Sequence, residues 1–222
     1  MIRAALMAGL LCGALPARAA DDFTQEPQGW FGFFGQKKLE NSVFVLWLDV
    51  HARLHGSGKQ TNLILRPGVG VRFRPDMVVW FGYAWTPLLR GGDVATDEHR
   101  LWQQWTWDVV FENKVKLQLR SRLEERISAG QLGLRFRQFV RVQSPRYGRS
   151  ILAAWDEVFL AFNDTAWGQQ AGFDQNRLFA GVGVFLTEQV RVEGGYMNQL
   201  VHRRDAPDPV RHVAMVNLFA NW

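Results

Sequence analysis

The sequence predicts an all-β protein, an antiparallel up-and-down transmembrane β-barrel of about 12 strands (10 to 12). Three observations carry this prediction. After roughly the first twenty residues, apolar positions recur with a period of two, as in a strand with one apolar face. Polar turns punctuate the chain at intervals of roughly ten to fifteen residues. No apolar run beyond the leader reaches the ~18 residues of a spanning helix, although 47% of the 222 residues are hydrophobic. With 21% charged residues, 13% aromatic residues and one Cys, the composition excludes disorder, collagen and a disulfide scaffold.

Residues 1–19 read as a cleaved signal peptide: Arg3, an apolar stretch from Ala4 to Leu15, Pro16, then the small-x-small site Ala17-Arg18-Ala19. Cys12 follows Leu10-Leu11, which are too bulky for a lipidation site. Cleavage removes Arg3, Arg18 and the one Cys, so the formal charge falls from +5 to +3 and thiol chemistry is lost. Residues 20–222 then form a single barrel domain. So mild a charge does not point to nucleic acid.

The strands follow in order. Gly29 to Lys37 is a weak first one. Val43 to Leu54 sets Phe44, Leu46, Leu48, Val50, Ala52 and Leu54 against Trp47, Asp49, His51 and Arg53. Thr61 to Phe73 follows, with a bulge expected at Pro67, and then Met77 to Trp85 and His99 to Phe111. Lys114 to Ile127 divides most sharply, with Val115, Leu117, Leu119, Leu123 and Ile127 facing away from Lys116, Gln118, Arg120, Arg122, Glu124 and Arg126. Further strands cover Leu132 to Val142, Ile151 to Phe162, Arg177 to Leu186, Val190 to Val201 and Val210 to Trp222. Asp156-Glu157 breaks the alternation, and one of the two carboxylates falls on the apolar side unless a bulge intervenes.

Tight turns at Glu40-Asn41, Pro75-Asp76, Glu112-Asn113 and Glu188-Gln189 alternate with longer connections. The longest are Thr86 to Glu98 and Asn163 to Gln175, and Arg203 to Pro209 is rich in Pro and charge. Alternating short and long connections match a transmembrane barrel, as do strands of about 10 to 13 residues. Trp85 and Trp105 are expected at one rim, with Phe73, Phe111 and Trp222 at the other; the alternative is tryptophan as core filler. Eleven segments alternate, yet bacterial barrels normally carry an even number. Either Asp21 to Gln28 adds a twelfth strand or the N-terminal stretch enters the lumen and ten close; twelve is the expectation.

Several strings resemble the uncharacterised outer-membrane barrels grouped as the domain-of-unknown-function 2490 family: Arg100-Leu101-Trp102-Gln103-Gln104, Arg120-Ser121-Arg122-Leu123-Glu124-Glu125-Arg126, Asp156-Glu157-Val158-Phe159, Phe173-Asp174-Gln175-Asn176-Arg177 and Gly194-Gly195-Tyr196-Met197-Asn198-Gln199. The resemblance runs from about residue 29 to the end. It implies the fold and an outer-membrane location in a Gram-negative bacterium, and it carries over no functional residue. The closing row Ala214, Val216, Leu218, Ala220 and Trp222 resembles the signal read by the outer-membrane barrel assembly machinery. That machinery and outer-membrane lipid are therefore the expected partners.

The inward face is expected to be strongly basic. Arg53, Arg66, Arg72, Arg100, Lys116, Arg120, Arg122, Arg126, Arg135, Arg137, Arg141, Arg177 and Arg191 stand against Asp49, Asp108, Glu124 and Glu193, thirteen to four. Such a lining attracts small anions. Alternatively the arginines pair across a narrow barrel and fill it, leaving function to the extracellular loops. Of 26 basic residues 21 are Arg, whose rigid fork suits paired networks. His51 lies too deep to meet a lipid, and His55 with Ser57 lacks a carboxylate orienter, so enzymatic activity is not expected. Asp93, Asp97 and Glu98 read as solvated loop acids. No metal and no cofactor are implied. A narrow permeation or transport barrel leads these readings, a filled structural or surface-binding barrel follows, and a lipid-modifying enzyme comes third.

Overall fold

The computed structural model describes residues 23–55, 59–204 and 206–222. Residues 1–19, read above as a leader, lie outside them. The strands are β1 (Phe23–Lys38), β2 (Phe44–His55), β3 (Gln60–Arg74), β4 (Met77–Trp85), β5 (Leu88–Arg90), β6 (Asp93–Thr96), β7 (Glu98–Val110), β8 (Lys116–Ser128), β9 (Gln131–Gln143), β10 (Ser150–Ala161), β11 (Gly172–Phe185), β12 (Val190–Val201) and β13 (Asp208–Asn221). Among the described residues there is no helix.

The strands pair antiparallel with their neighbours around a ring that β5 and β6 leave. Those two form a small hairpin on the edge of β3, within the segment expected to be a plain loop, and β4 pairs directly with β7. Eleven strands therefore close the barrel, not twelve. The closing pair, β1 with β13, is parallel. The expectation of an even count assumed that every neighbour is antiparallel. A parallel seam removes that condition, because β1 then begins at the end opposite Trp222. Residues 23–28 are not a separate strand but the start of β1; Asp21 and Asp22 lie outside the described residues.

The barrel has two unlike ends. A turn end collects the connections at 39–43, 75–76, 111–115, 144–149 and 186–189 together with Trp222. A loop end carries the β5–β6 excursion, 162–171, and residues 202–204 and 206–207. One hairpin at the loop end is tight: Ala129 (φ 47°) and Gly130 (φ 72°) alone join β8 to β9, as a two-residue turn with both central residues at positive φ requires.

Alternation places large apolar side chains outside on every strand of the ring, among them Phe31, Leu46, Val69, Phe81, Leu101, Leu123, Val140, Leu152, Leu178, Tyr196 and Val216. The inside holds charge and half of the tryptophans. Trp30, Trp47, Trp80 and Trp102 are buried there, and Trp155 packs against Phe179 at 5.2 Å. Tryptophan is thus chiefly filler and only partly rim. Trp105 is no partner of Trp85 at one rim either: it stacks on Trp107, whose indole N–H donates to Asp76 at the turn end.

Inward glycines make room for these rings. A Cβ on Gly68 would lie 2.6 Å from Trp102, one on Gly70 2.5 Å from Trp80, and Gly82 is as crowded. The bulge expected at Pro67 is absent; the ladder to β4 shifts between Arg72 and Arg74. No bulge occurs at Asp156-Glu157 either. Glu157 turns inward and is buried, while Asp156 faces outward and accepts bonds from the Asn176 amide at 3.0 and 3.1 Å.

Overpacking at a filled site costs ~1–3 kcal/mol, whereas an exposed substitution changes stability by less than about 0.5 kcal/mol. Gly82→Leu is accordingly expected to lower the urea midpoint of unfolding, read by tryptophan fluorescence, by far more than Ala154→Leu on the outer face.

Candidate functional site: an arginine-rich lumen

Each strand of the ring sends every second side chain inward, so charges from distant parts of the chain meet on the axis. Glu124 on β8 is the hub. It accepts from Arg137 at 2.6 Å and from Arg135 at 2.7 Å, with Arg122 at 3.6 Å and Arg100 at 3.9 Å. Glu157 on β10 accepts from Arg137 at 2.7 Å and Arg120 at 2.8 Å, and Arg177 reaches within 4.0 Å. Towards the loop end Glu98 binds Arg126 at 2.6 Å and Arg100 at 2.8 Å, while Asp174 takes Arg135 at 3.0 Å. One continuous ionic lattice therefore spans β7 to β11. Two further pairs stand apart: Arg66 with Asp49 at 3.0 Å, and Arg141 with Glu193 at 2.5 Å, beside which Arg191 sits at 3.6 Å.

The loop end is closed over this lattice. In the 162–171 connection, Gln169 is buried, accepts from Arg126 Nη1 at 3.1 Å and donates to the Asn163 carbonyl at 3.1 Å. The guanidinium of Arg126 stacks 4.6 Å from the Trp167 ring. Gly133 leaves the space: a Cβ there would lie 2.8 Å from both Gln169 and Trp167. The same loop is tied by Asp164, which accepts the Ala171 N–H at 2.7 Å. That bond, helped by Arg204, holds the Asp164 carboxyl below its ordinary value. Its stabilising contribution is therefore present at neutral pH and fades only as pH falls through that lowered range.

Towards the turn end the lumen stays open as a cavity of about 440 Å³, which runs from Trp30, Arg53 and Arg177 down to Asp76, Lys116 and Asn221. Arg72 and the exposed Asp108 stand near its mouth, where Gln118 donates to Asp108 at 2.7 Å. Among the described residues the lumen is thus plugged over the β7–β11 lattice at one end and vestibular at the other.

Three interior carboxylates escaped the alternation argument. Glu98 is not a solvated loop acid; it shares the inward parity of Arg100, two residues on, which was a readable signal. Glu157 shares the parity of Phe159. Asp174 had no such signal: the β10–β11 register shifts at Phe159/Leu160, so Gln175 and Phe173 take successive partners and Asp174 is an extra residue. His51 lies 3.4 Å from Asp49 in the buried interior. His55 meets the Gln28 amide at 3.2 Å, and Ser57 lies outside the described residues. Among the described residues no three His, Cys, Asp or Glu side chains cluster as a metal would require.

At the seam, Ala214, Val216 and Leu218 face outward, and Trp222 is exposed. Ala220 shares their parity and is covered by its neighbours. Trp222 is clipped to β1 through its backbone: its N–H donates to the Gln36 carbonyl at 2.9 Å, and its carbonyl accepts from Lys38 at 2.8 Å.

A family model described as a protein of unknown function, DUF2490, matches residues 27–210. The chain belongs to the DUF2490 family. It is also 32% identical over 228 residues to a Methylorubrum extorquens (strain AM1) protein described as uncharacterized, covering 98% of this chain and 97% of that one. No solved structure matches. The DUF2490 match spans almost the whole ring, from within β1 to the start of β13.

Removing one partner of a buried ion pair costs ~3–5 kcal/mol, because the other charge is left uncompensated. Glu124→Gln in this DUF2490 barrel is therefore expected to lower unfolding stability by that order. Glu125→Gln, one residue along and facing outward against Gln103, should change it by under about 1 kcal/mol. Denaturant titration of the two variants checks the difference.

Proposed function

We propose that the protein is an integral outer-membrane β-barrel, exported by a cleaved signal peptide, that works as a narrow anion-permeation barrel held shut at its loop end. The observation that carries the reading is the inverted distribution of polarity. Leu152, Phe81 and Leu178 are more than half exposed on the outside, while Asp49, Glu193 and Glu124 are almost wholly buried inside. A soluble barrel would gain by the reverse. Thirteen-residue strands such as β8, rising ~3.3 Å per residue and tilted by about 40°, span roughly 33 Å, against a hydrocarbon core of ~30 Å.

The outer face has polar exceptions on β7 to β11, and these are satisfied in pairs. Ser121 donates to Gln138 at 2.7 Å, Gln103 to Glu125 at 3.4 Å and Asn176 to Asp156. Pairing limits the penalty of a polar group in an apolar phase.

Ten-odd strands enclose little free space, and the plug occupies the loop end of it. The purified protein is expected to need detergent and to shift its gel mobility on boiling; recovery of the mature chain as a detergent-free periplasmic monomer would overturn the reading. In planar bilayers the native protein should be silent or nearly so. Trp167→Ala combined with Gln169→Ala should open a small conductance whose reversal potential favours anions. A cation-selective opening would reject the charge argument.

The backbone clip at Trp222 and its outward row are suited to the assembly machinery. Deleting Trp222 should reduce membrane-inserted protein several-fold more than Tyr147→Ala, an exposed aromatic at the same end.

A further inference from the structure

The ionic lattice leaves a deficit of negative charge at one place, the deep end of the vestibule. Nine basic residues line that cavity against three acidic ones. Most of the nine have carboxylate partners. Arg53 has none among the described residues, and its Nε is buried without an acceptor. It stacks at 4.0 Å over the Trp30 ring, and Arg177 stacks at 5.0 Å from the same ring. Their guanidinium carbons are therefore no more than about 9 Å apart, the sum of those two distances. Arg177 is itself buried, its Nε also lacks an acceptor, and the carboxylate near it, Glu157 at 4.0 Å, is already bound by Arg120 and Arg137. Arg53 is half-buried with its Nε inside, Arg177 is buried, and the one carboxylate near the pair is already committed.

Such an arrangement is unfavourable unless an anion completes it. The guanidinium fork presents parallel N–H donors to an oxyanion and binds it in two places. The walls beside the pair are aromatic: Trp155 and Phe139 line the same cavity with their ring centroids 5.5 Å apart. Its volume, about 440 Å³, falls within the range of ~300–1,000 Å³ typical of small-molecule sites.

The geometry points to a binding site for a small amphiphilic anion, entering from the turn end, with its phosphate or carboxylate between Arg53 and Arg177 and its apolar body against Trp155 and Phe139. The site requires the vestibule and not the membrane, so its test is independent of where the barrel resides.

Isothermal titration of the purified folded full chain, in whichever of detergent or plain buffer keeps it monodisperse, with 2-naphthyl phosphate, inorganic phosphate and 2-naphthol is the experiment. The expected result is one equivalent of 2-naphthyl phosphate bound, with inorganic phosphate at least tenfold weaker and 2-naphthol weaker still. Arg53→Gln leaves no carboxylate uncompensated and should keep the native far-UV circular dichroism spectrum while losing at least tenfold in affinity for 2-naphthyl phosphate. Arg90→Gln on the exposed β5 should bind as the native protein does. Unchanged affinity in folded Arg53→Gln overturns the site. In the native protein alone, 2-naphthol binding as tightly as its phosphate overturns the anionic head, and inorganic phosphate binding as tightly overturns the apolar body.

Discussion

The interior depends on Glu124. Arg135 and Arg137, from the neighbouring strand, converge on its two oxygens, and Arg137 carries the connection on to Glu157. Without this carboxylate, guanidinium groups on β8 and β9 would face each other across a space too narrow for bulk water, and the lumen would have to widen or flood. With it, strands on one side of the ring are cross-braced through the centre. The plug is built on the same brace, because Arg126 holds Glu98 below and Gln169 and Trp167 above.

The two halves of the barrel solve the filling problem differently. Around β7 to β11 the interior is ionic. Around β2 to β4 and β7 it is aromatic: Trp47 meets Trp80 at 5.2 Å and Trp102 at 6.4 Å, over a floor of glycines. Arg122 joins the halves, since it bonds to Gln104 at 2.8 Å and stacks 4.7 Å from Trp102. An indole brings bulk without charge and an N–H that needs one acceptor, which Thr106 supplies to Trp80 and Asp49 to Trp47. The vestibule lies where these two fillings meet.

Much of this architecture was legible in the sequence, because a period of two is sufficient to assign faces. Met77–Trp85 and Val190–Val201 match β4 and β12 at both ends, and the parity of Arg120, Arg122, Glu124 and Arg126 placed them on one face. What alternation does not encode is pairing. It shows that Arg137 points inward and not that Glu124 and Glu157, 13 and 20 residues away, receive it. It also fails at irregularities such as Asp174, where one extra residue resets the count. The odd strand number was present in the eleven alternating segments themselves. An even count follows only where the seam is antiparallel, and no local property of Phe23–Lys38 announces a parallel partner.

That parallel seam governs the order in which the barrel can form. Ten of the ring's contacts join strands that follow closely in sequence, so each can zip onto its predecessor as soon as both exist. The eleventh joins Glu26 to Arg211, 185 residues apart, and with it the backbone ladder from Phe23↔Asp208 to Gln36↔Asn221. Loop-closure entropy is largest for this contact, and the rate of reaching it falls with such separation. Until β13 arrives, β1 offers an unpaired edge on one side, and so does every growing intermediate on the other. The seam is therefore the joint whose closure costs the chain most entropy, and the one expected to form last. A chain stalled before β13 would be an open, sticky sheet and not a smaller barrel.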